Sequence, residues 1–129
     1  FLTLRKKYVS MYDAAFADMA ELETLETRDY ATHGHHIYVI ALHLDQLNVD
    51  RDGFLDAIQA AGIGVGVHYI ALHLQPYYVK TFNTKPQDFP VASNYSERVL
   101  SLPLYPKMAV EDVERVIGNV QDLINKFRR

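Results

Sequence analysis

The chain has 129 residues, 49% of them hydrophobic and 22% charged, with a formal net charge of -3. That length fits one domain with a core of its own, and the charge balance favours neither nucleic acid nor an anionic membrane. The absence of cysteine removes disulfides, thiolate metal sites and cysteine nucleophiles, and it fits a reducing cytoplasm. No apolar run approaches the roughly 20 residues of a membrane helix, and the start has no signal-peptide pattern. The first residue is Phe1, within what reads as a helix. This suggests an excised piece, although a processed terminus gives the same observation.

Leu4, Tyr8, Met11, Tyr12, Ala15, Phe16 and Met19 recur at helical spacing and predict a first amphipathic helix. Residues 20–34 are polar and mixed, a connector with room for a short strand. Ile37 to Leu42 is apolar on both faces and predicts a buried strand. Asp50 caps a helix that carries Phe54, Leu55, Ile58 and Ala61 and ends at Gly62. Ile63 to His68 predicts a second strand, whose Gly64 and Gly66 would admit a close backbone or ligand. A loop then runs into a short helix near Pro76. Another helix is expected over 91–100, then an extended link over 101–106 held open by Pro103 and Pro106. The last helix carries Val113, Val116, Ile117, Val120, Leu123, Ile124 and Phe127 on one stripe. The fold class is α+β: helices packed around a small, antiparallel sheet, sandwich-like, in a single domain over 1–129.

Chemistry is sparse. His33, His35 and His36 invite a metal reading, but no carboxylate or cysteine sits at a supporting spacing. His36 and His43 fall on opposite faces of the predicted strand, so no metal site is assigned. No nucleophile elbow or P-loop occurs. Gly62, Gly64 and Gly66 leave a helix and enter a strand, the reverse of a dinucleotide fingerprint. The stretch 62–78 is dense in His, Tyr and Gln; it suits a polar ligand with flat or hydroxylated parts, and equally a stretch whose tyrosines simply pack.

The order of these segments resembles the DegT/DnrJ-type family of sugar aminotransferases. The resemblance is carried by residues 35–40, Arg51-Asp52, Ala61-Gly62-Ile63, Gly66-Val67-His68-Tyr69, residues 72–78, Phe89-Pro90-Val91-Ala92 and residues 96–106, and it covers essentially the whole chain. Two positions depart from it: Ala71 replaces a common proline, and Ala109 replaces a threonine that usually caps the last helix.

The resemblance implies the C-terminal small domain of a fold-type-I transaminase, with the large pyridoxal phosphate-binding domain absent from this chain. The parent would be a cytoplasmic homodimer acting on a nucleotide-linked keto sugar with an amino-acid donor, in amino-sugar, cell-surface polysaccharide or antibiotic-sugar biosynthesis. None of Lys6, Lys7, Lys80, Lys85, Lys107 and Lys126 lies in a cofactor-lysine motif. The isolated chain is therefore expected to hold no cofactor and to be inactive. By the same resemblance His73, His36, His68 and Tyr69 face the substrate and hydrogen-bond its sugar hydroxyls or its nucleotide diphosphate, Tyr77 and Tyr78 pack, and Arg51 belongs to a helix start or reaches an anion. The alternatives are a free-standing ligand-binding or interaction module, or the small domain of a related pyridoxal phosphate-dependent dehydratase. An excised domain should also expose an apolar face, expected to involve the first helix.

Overall fold

A computed structural model describes residues 1–129. Its helices are α1 (Leu2–Phe16), α2 (Arg51–Ala60), α3 (Pro76–Phe82), α4 (Pro90–Arg98) and α5 (Val110–Phe127). Its strands are β1 (Leu22–Thr24), β2 (Tyr38–Leu42), β3 (Gly66–Val67) and β4 (Val99–Leu102). The strands form one sheet in the order β1-β2-β4-β3, antiparallel throughout. The class is α+β, as the sequence implies.

β2 is buried at every position, which explains its unbroken apolar run. Alternation divides its side chains between two faces. Tyr38, Ile40 and Leu42 join Leu100 and Leu102 of β4 in the main core, with Tyr12, Phe54, Val113 and Val120 from the helices. Val39 and Ala41 point the other way and meet Val99 in a small second cluster. In the α5 stripe Val113, Val116, Val120 and Ile124 are buried, and Ile117, Leu123 and Phe127 are partly buried against the same core. Tyr8 and Tyr12 of α1 place their rings in the core and donate their hydroxyls to the carbonyls of Met108 (2.5 Å) and Pro103 (2.8 Å).

α2 is bounded as expected. The Asp50 carboxylate accepts from the Gly53 amide at 2.8 Å. At the far end Gly62 takes φ +79, while its amide reaches Gln59 O and that of Ile63 reaches Ile58 O. These paired bonds form a Schellman closure, which requires a left-handed residue.

Four expectations are corrected. α1 stops at Phe16, so Met19 packs from the loop beyond it. The predicted strand over 63–68 shrinks to Gly66–Val67, because Ile63 and Val65 turn into the core instead of pairing. Gly64 and Gly66 have nothing within 4 Å of a built Cβ, so no backbone of this chain makes the close approach allowed for there. Val99 and Leu100 leave the helix and begin β4, which pairs with both β2 and β3. Local periodicity suggests a longer helix there, but pairing in the middle of the sheet prevails.

Candidate functional site

The largest cavity, about 540 Å³, opens on the face of the sheet away from the main core. Val39 and Val99 form its floor, Ala92, Tyr95 and Ser96 of α4 one wall, and residues 69–72 the other. Leu25 and His68 complete the rim. The wall over 69–72 is fixed by a hydrogen bond from the Ala71 amide to Ser96 Oγ at 2.9 Å. It begins at Tyr69, whose φ of 62 is unusual for a bulky residue. That turn leaves the Tyr69 ring 78% exposed at the mouth.

The four residues singled out by resemblance do not share one surface. His68 and Tyr69 border the cavity, their rings 5.3 Å apart. His68 Nδ1 is paired with Ser101 Oγ of β4 at 3.0 Å. His73 is buried behind the loop. Its Nε2 lies 2.7 Å from Ser93 Oγ, and the Ser93 hydroxyl donates to Pro86 O. With that proton committed, Ser93 Oγ accepts from His73 Nε2–H, which selects the tautomer. The His73 ring also lies 4.8 Å from Phe89, and its carbonyl accepts from Thr84 Oγ1. His73 thus ties the loop to the start of α4. His36 is exposed just before β2 and does not border this cavity.

The other singled-out residues have plain roles. Arg51 pairs with Asp52 and donates to Ser96 O at 3.2 Å, joining α2 to α4. Tyr77 is exposed, a departure from the packing expected of it, and its ring meets those of its helix neighbours Tyr78 and Phe82 edge-on. The His33 and His35 rings are 4.8 Å apart, but no group of three or more His, Asp or Glu side chains is placed to hold a metal ion.

Sequence reasoning missed the apolar lining: Leu25, Val39, Ile70, Leu72, Tyr95 and Val99. A signal for part of it was present. Ala92, Tyr95, Ser96 and Val99 stand at the i, i+3, i+4, i+7 spacing of one helical face.

Charge gathers behind Tyr95. The Arg98 guanidinium lies 4.4 Å from the Tyr95 ring centre and donates to Glu23 of β1 at 2.9 Å and to Asn94 at 2.8 Å. His43 Nε2 stands 3.8 Å from the same carboxylate. Burial alone would raise Glu23, but the Tyr95 hydroxyl and the Arg98 charge outweigh it and hold the carboxyl below its usual range. Glu23 in turn pushes the Tyr95 phenol up. The cluster joins α4 to the edge strand β1 and pins the ring that walls the cavity.

Residues 1–121 match the sequence profile of the DegT/DnrJ/EryC1/StrS aminotransferase family. The chain belongs to this family. It is 39% identical over 121 residues to the spore coat polysaccharide biosynthesis protein SpsC of Bacillus subtilis, covering 93% of this chain and 31% of SpsC. It is 36% identical over 124 residues to the uncharacterized protein MJ1066 of Methanocaldococcus jannaschii, covering 96% of this chain and 32% of that protein. Among solved structures it is similar to Spr1654 of Streptococcus pneumoniae, assigned as a sugar aminotransferase and solved in its PMP form. The TM-score is 0.87 at 26% identity, over 97% of this chain and 31% of Spr1654. The fold is also that of DesI, solved in the presence of its TDP-sugar product, with TM-score 0.80 at 19% identity over 93% of this chain and 30% of DesI. This member of the family thus spans about a third of the length of its relatives.

Pyridoxal phosphate, the cofactor of a PLP-form relative, does not fit the cavity of this chain. No lysine borders it to form an imine, no carboxylate to meet a pyridine nitrogen, and no lysine or arginine to meet a phosphate. All six lysines are exposed.

Proposed function

We propose that this chain is the C-terminal small domain of a pyridoxal phosphate-dependent aminotransferase that transfers an amino group to a nucleotide-linked keto sugar. The observation that carries this reading is the family match over 1–121, in a chain spanning about a third of its relatives' length. The nucleotide link rests on the motif resemblance and on the TDP-sugar product seen with the similarly folded DesI. The cofactor supplies the electron sink. Its lysine lies in the rest of the polypeptide, and the assembled enzyme is a homodimer.

On this reading the small domain binds and orients. His68 and Tyr69 meet the substrate from the cavity rim, while His73 acts at one remove by holding the loop that carries them. His36 rests on the resemblance alone. The isolated chain has no turnover and forms no covalent cofactor adduct.

The test compares the 129-residue chain with a longer polypeptide that includes it. Amino transfer from an amino-acid donor to a nucleotide-linked keto sugar is expected only from the longer protein. Borohydride reduction in the presence of pyridoxal phosphate is expected to label no single lysine of the short chain. Labelling of one defined lysine here, or failure of the longer protein on every such sugar, overturns the proposal.

A further inference from the structure

We propose that the connector between β1 and β2 is an acid-opened flap, latched closed at neutral pH by the imidazole of His33. Such a latch operates whatever reaction the parent polypeptide carries out.

Residues 25–37 have little else to hold them. None of them is buried. Their backbone makes one turn bond, from the Ala31 amide to Arg28 O at 2.9 Å. The cavity beneath them, about 40 Å³ between Val9, Asp13, Tyr38 and Val39, is too small for a ligand to pin them from below.

The remaining bond is the latch. The His35 amide donates to His33 Nδ1 at 2.9 Å, and the two rings lie 4.8 Å apart. His35 takes φ 44, a left-handed state that is costly for a residue with a Cβ and needs a compensating contact. The bond supplies it, in the manner of an Asx turn.

An imidazole nitrogen accepts a hydrogen bond only through its lone pair. A proton on His33 Nδ1 removes that acceptor and turns two N–H groups toward each other. Histidine is the side chain whose charge ordinarily changes between about pH 5 and 8. The surroundings do little to offset a new positive charge. His35 and Lys6 add to it. Asp13 and Glu26 are the carboxylates nearby, and Asp13 already accepts from the Tyr38 hydroxyl at 2.7 Å. Burial, then His33 and Lys6, hold His35 below the ordinary histidine value of 6.5 against the pull of Asp13. The closed connector therefore binds fewer protons than the open one. Its stability is full above about pH 6.5 and is lost as pH falls through the depressed His35 value.

Release reaches the larger cavity. Leu25 and Val39 line both spaces, so a freed connector takes Leu25 off the rim. The main core stays intact, since the connector supplies none of its residues.

Backbone amide relaxation by NMR on the 129-residue chain, at about pH 7.5 and about pH 5, tests the latch. Order parameters of residues 33–35 are expected to fall from about 0.85 to below about 0.6 on acidification, while those of β2 and α5 stay unchanged. His33→Asn keeps an acceptor oxygen that does not titrate, so the connector should stay ordered at both pH values. His33→Phe keeps a ring beside His35 but no acceptor, so the connector should be mobile at both. His33 is exposed, and unchanged amide spectra of the helices check that each variant is folded. Three results would overturn the latch: an ordered connector in the unaltered chain under acid, a full acid response in His33→Asn, or an ordered connector in His33→Phe at neutral pH.

Discussion

Ala109 opens α5 in the extended conformation of a helix cap, with φ -83 and ψ 165, but it has no side-chain oxygen to offer. Asp112 accepts from the Ala109 amide at 2.8 Å, so half of a reciprocal capping pair is present. Threonine at 109 supplies the other half. Ala109→Thr is expected to raise stability by about 1 kcal/mol, read as a higher urea midpoint with an unchanged slope. Glu21 is a sharper case. It is buried, its carboxylate pairs with the half-exposed Arg128, and its second oxygen has no partner. Arg128 lies beyond the family match. Its neighbourhood is stitched to the loop after β2 by an antiparallel bridge to Leu47 and by bonds from the Asn48 amide to Phe127 O and from Arg129 Nε to Leu47 O. Arg128→Met strands a buried carboxylate and is expected to cost about 1–3 kcal/mol, below the full value for a buried pair because solvent screens Arg128. Adding Glu21→Gln should restore part of the loss. A double-mutant cycle with no coupling would show the pair to be idle.

Gly62 illustrates the element scale. Its φ of +79 closes α2, and a Cβ there would stand 2.9 Å from the Arg115 guanidinium. That group donates to Ala61 O at 3.4 Å, so α5 itself braces the helix end. Gly62→Ala is expected to destabilise by about 1 kcal/mol or more, through backbone strain and displacement of Arg115. Thermal unfolding measures it, and an unchanged midpoint would mean that the closure relaxes freely. β4 shows the opposite balance between local and distant causes. Val99 and Leu100 continue the helical pattern of α4, yet the backbone extends at Val99, whose ψ is 141. Leu100 is then fully buried opposite Ile40. Those two residues were legible as apolar but not as strand, because their partners are some 60 residues away in the chain.

At the scale of the whole molecule, two paired carboxylates contribute to the response to acid. Burial alone would raise Glu21, but its bond to Arg128 and its own backbone outweigh this, so like Glu23 it stays below the ordinary value of 4.5. The folded state therefore takes up these protons less readily than the unfolded state. Stability is full above that ordinary value and falls as pH drops below it through the folded-state pKa values. Urea unfolding at about pH 6 and about pH 3 should show the loss, and Glu21→Gln should shrink the difference between them. Exposed apolar side chains include Phe1, Leu2 and Leu4 at the start of α1, Ile70, Leu72 and Tyr95 around the cavity, and Tyr77, Val79 and Phe82 of α3. Sedimentation velocity of the isolated chain should show concentration-dependent association, weakened by Leu72→Asp. A strict monomer at high concentration would count against the small-domain reading.

The α+β class, both ends of α2, the buried β2, the stripe of α5 and the family were all legible in the order of the amino acids. Each of these is written in local signals: a capping Asp50, a left-handed Gly62, an unbroken apolar run, a 3.6-residue period, an ordered set of motifs. It took the folded chain to place β4 between β2 and β3, to bury His73 as a brace while His68 and Tyr69 stand at a cavity, and to set Tyr95 in the cavity wall beside Arg98 and Glu23. These depend on which groups from distant parts of the chain share one space, and on which hydrogen bonds are already taken there. A residue type announces what a side chain can do; its neighbours after folding decide what it is free to do.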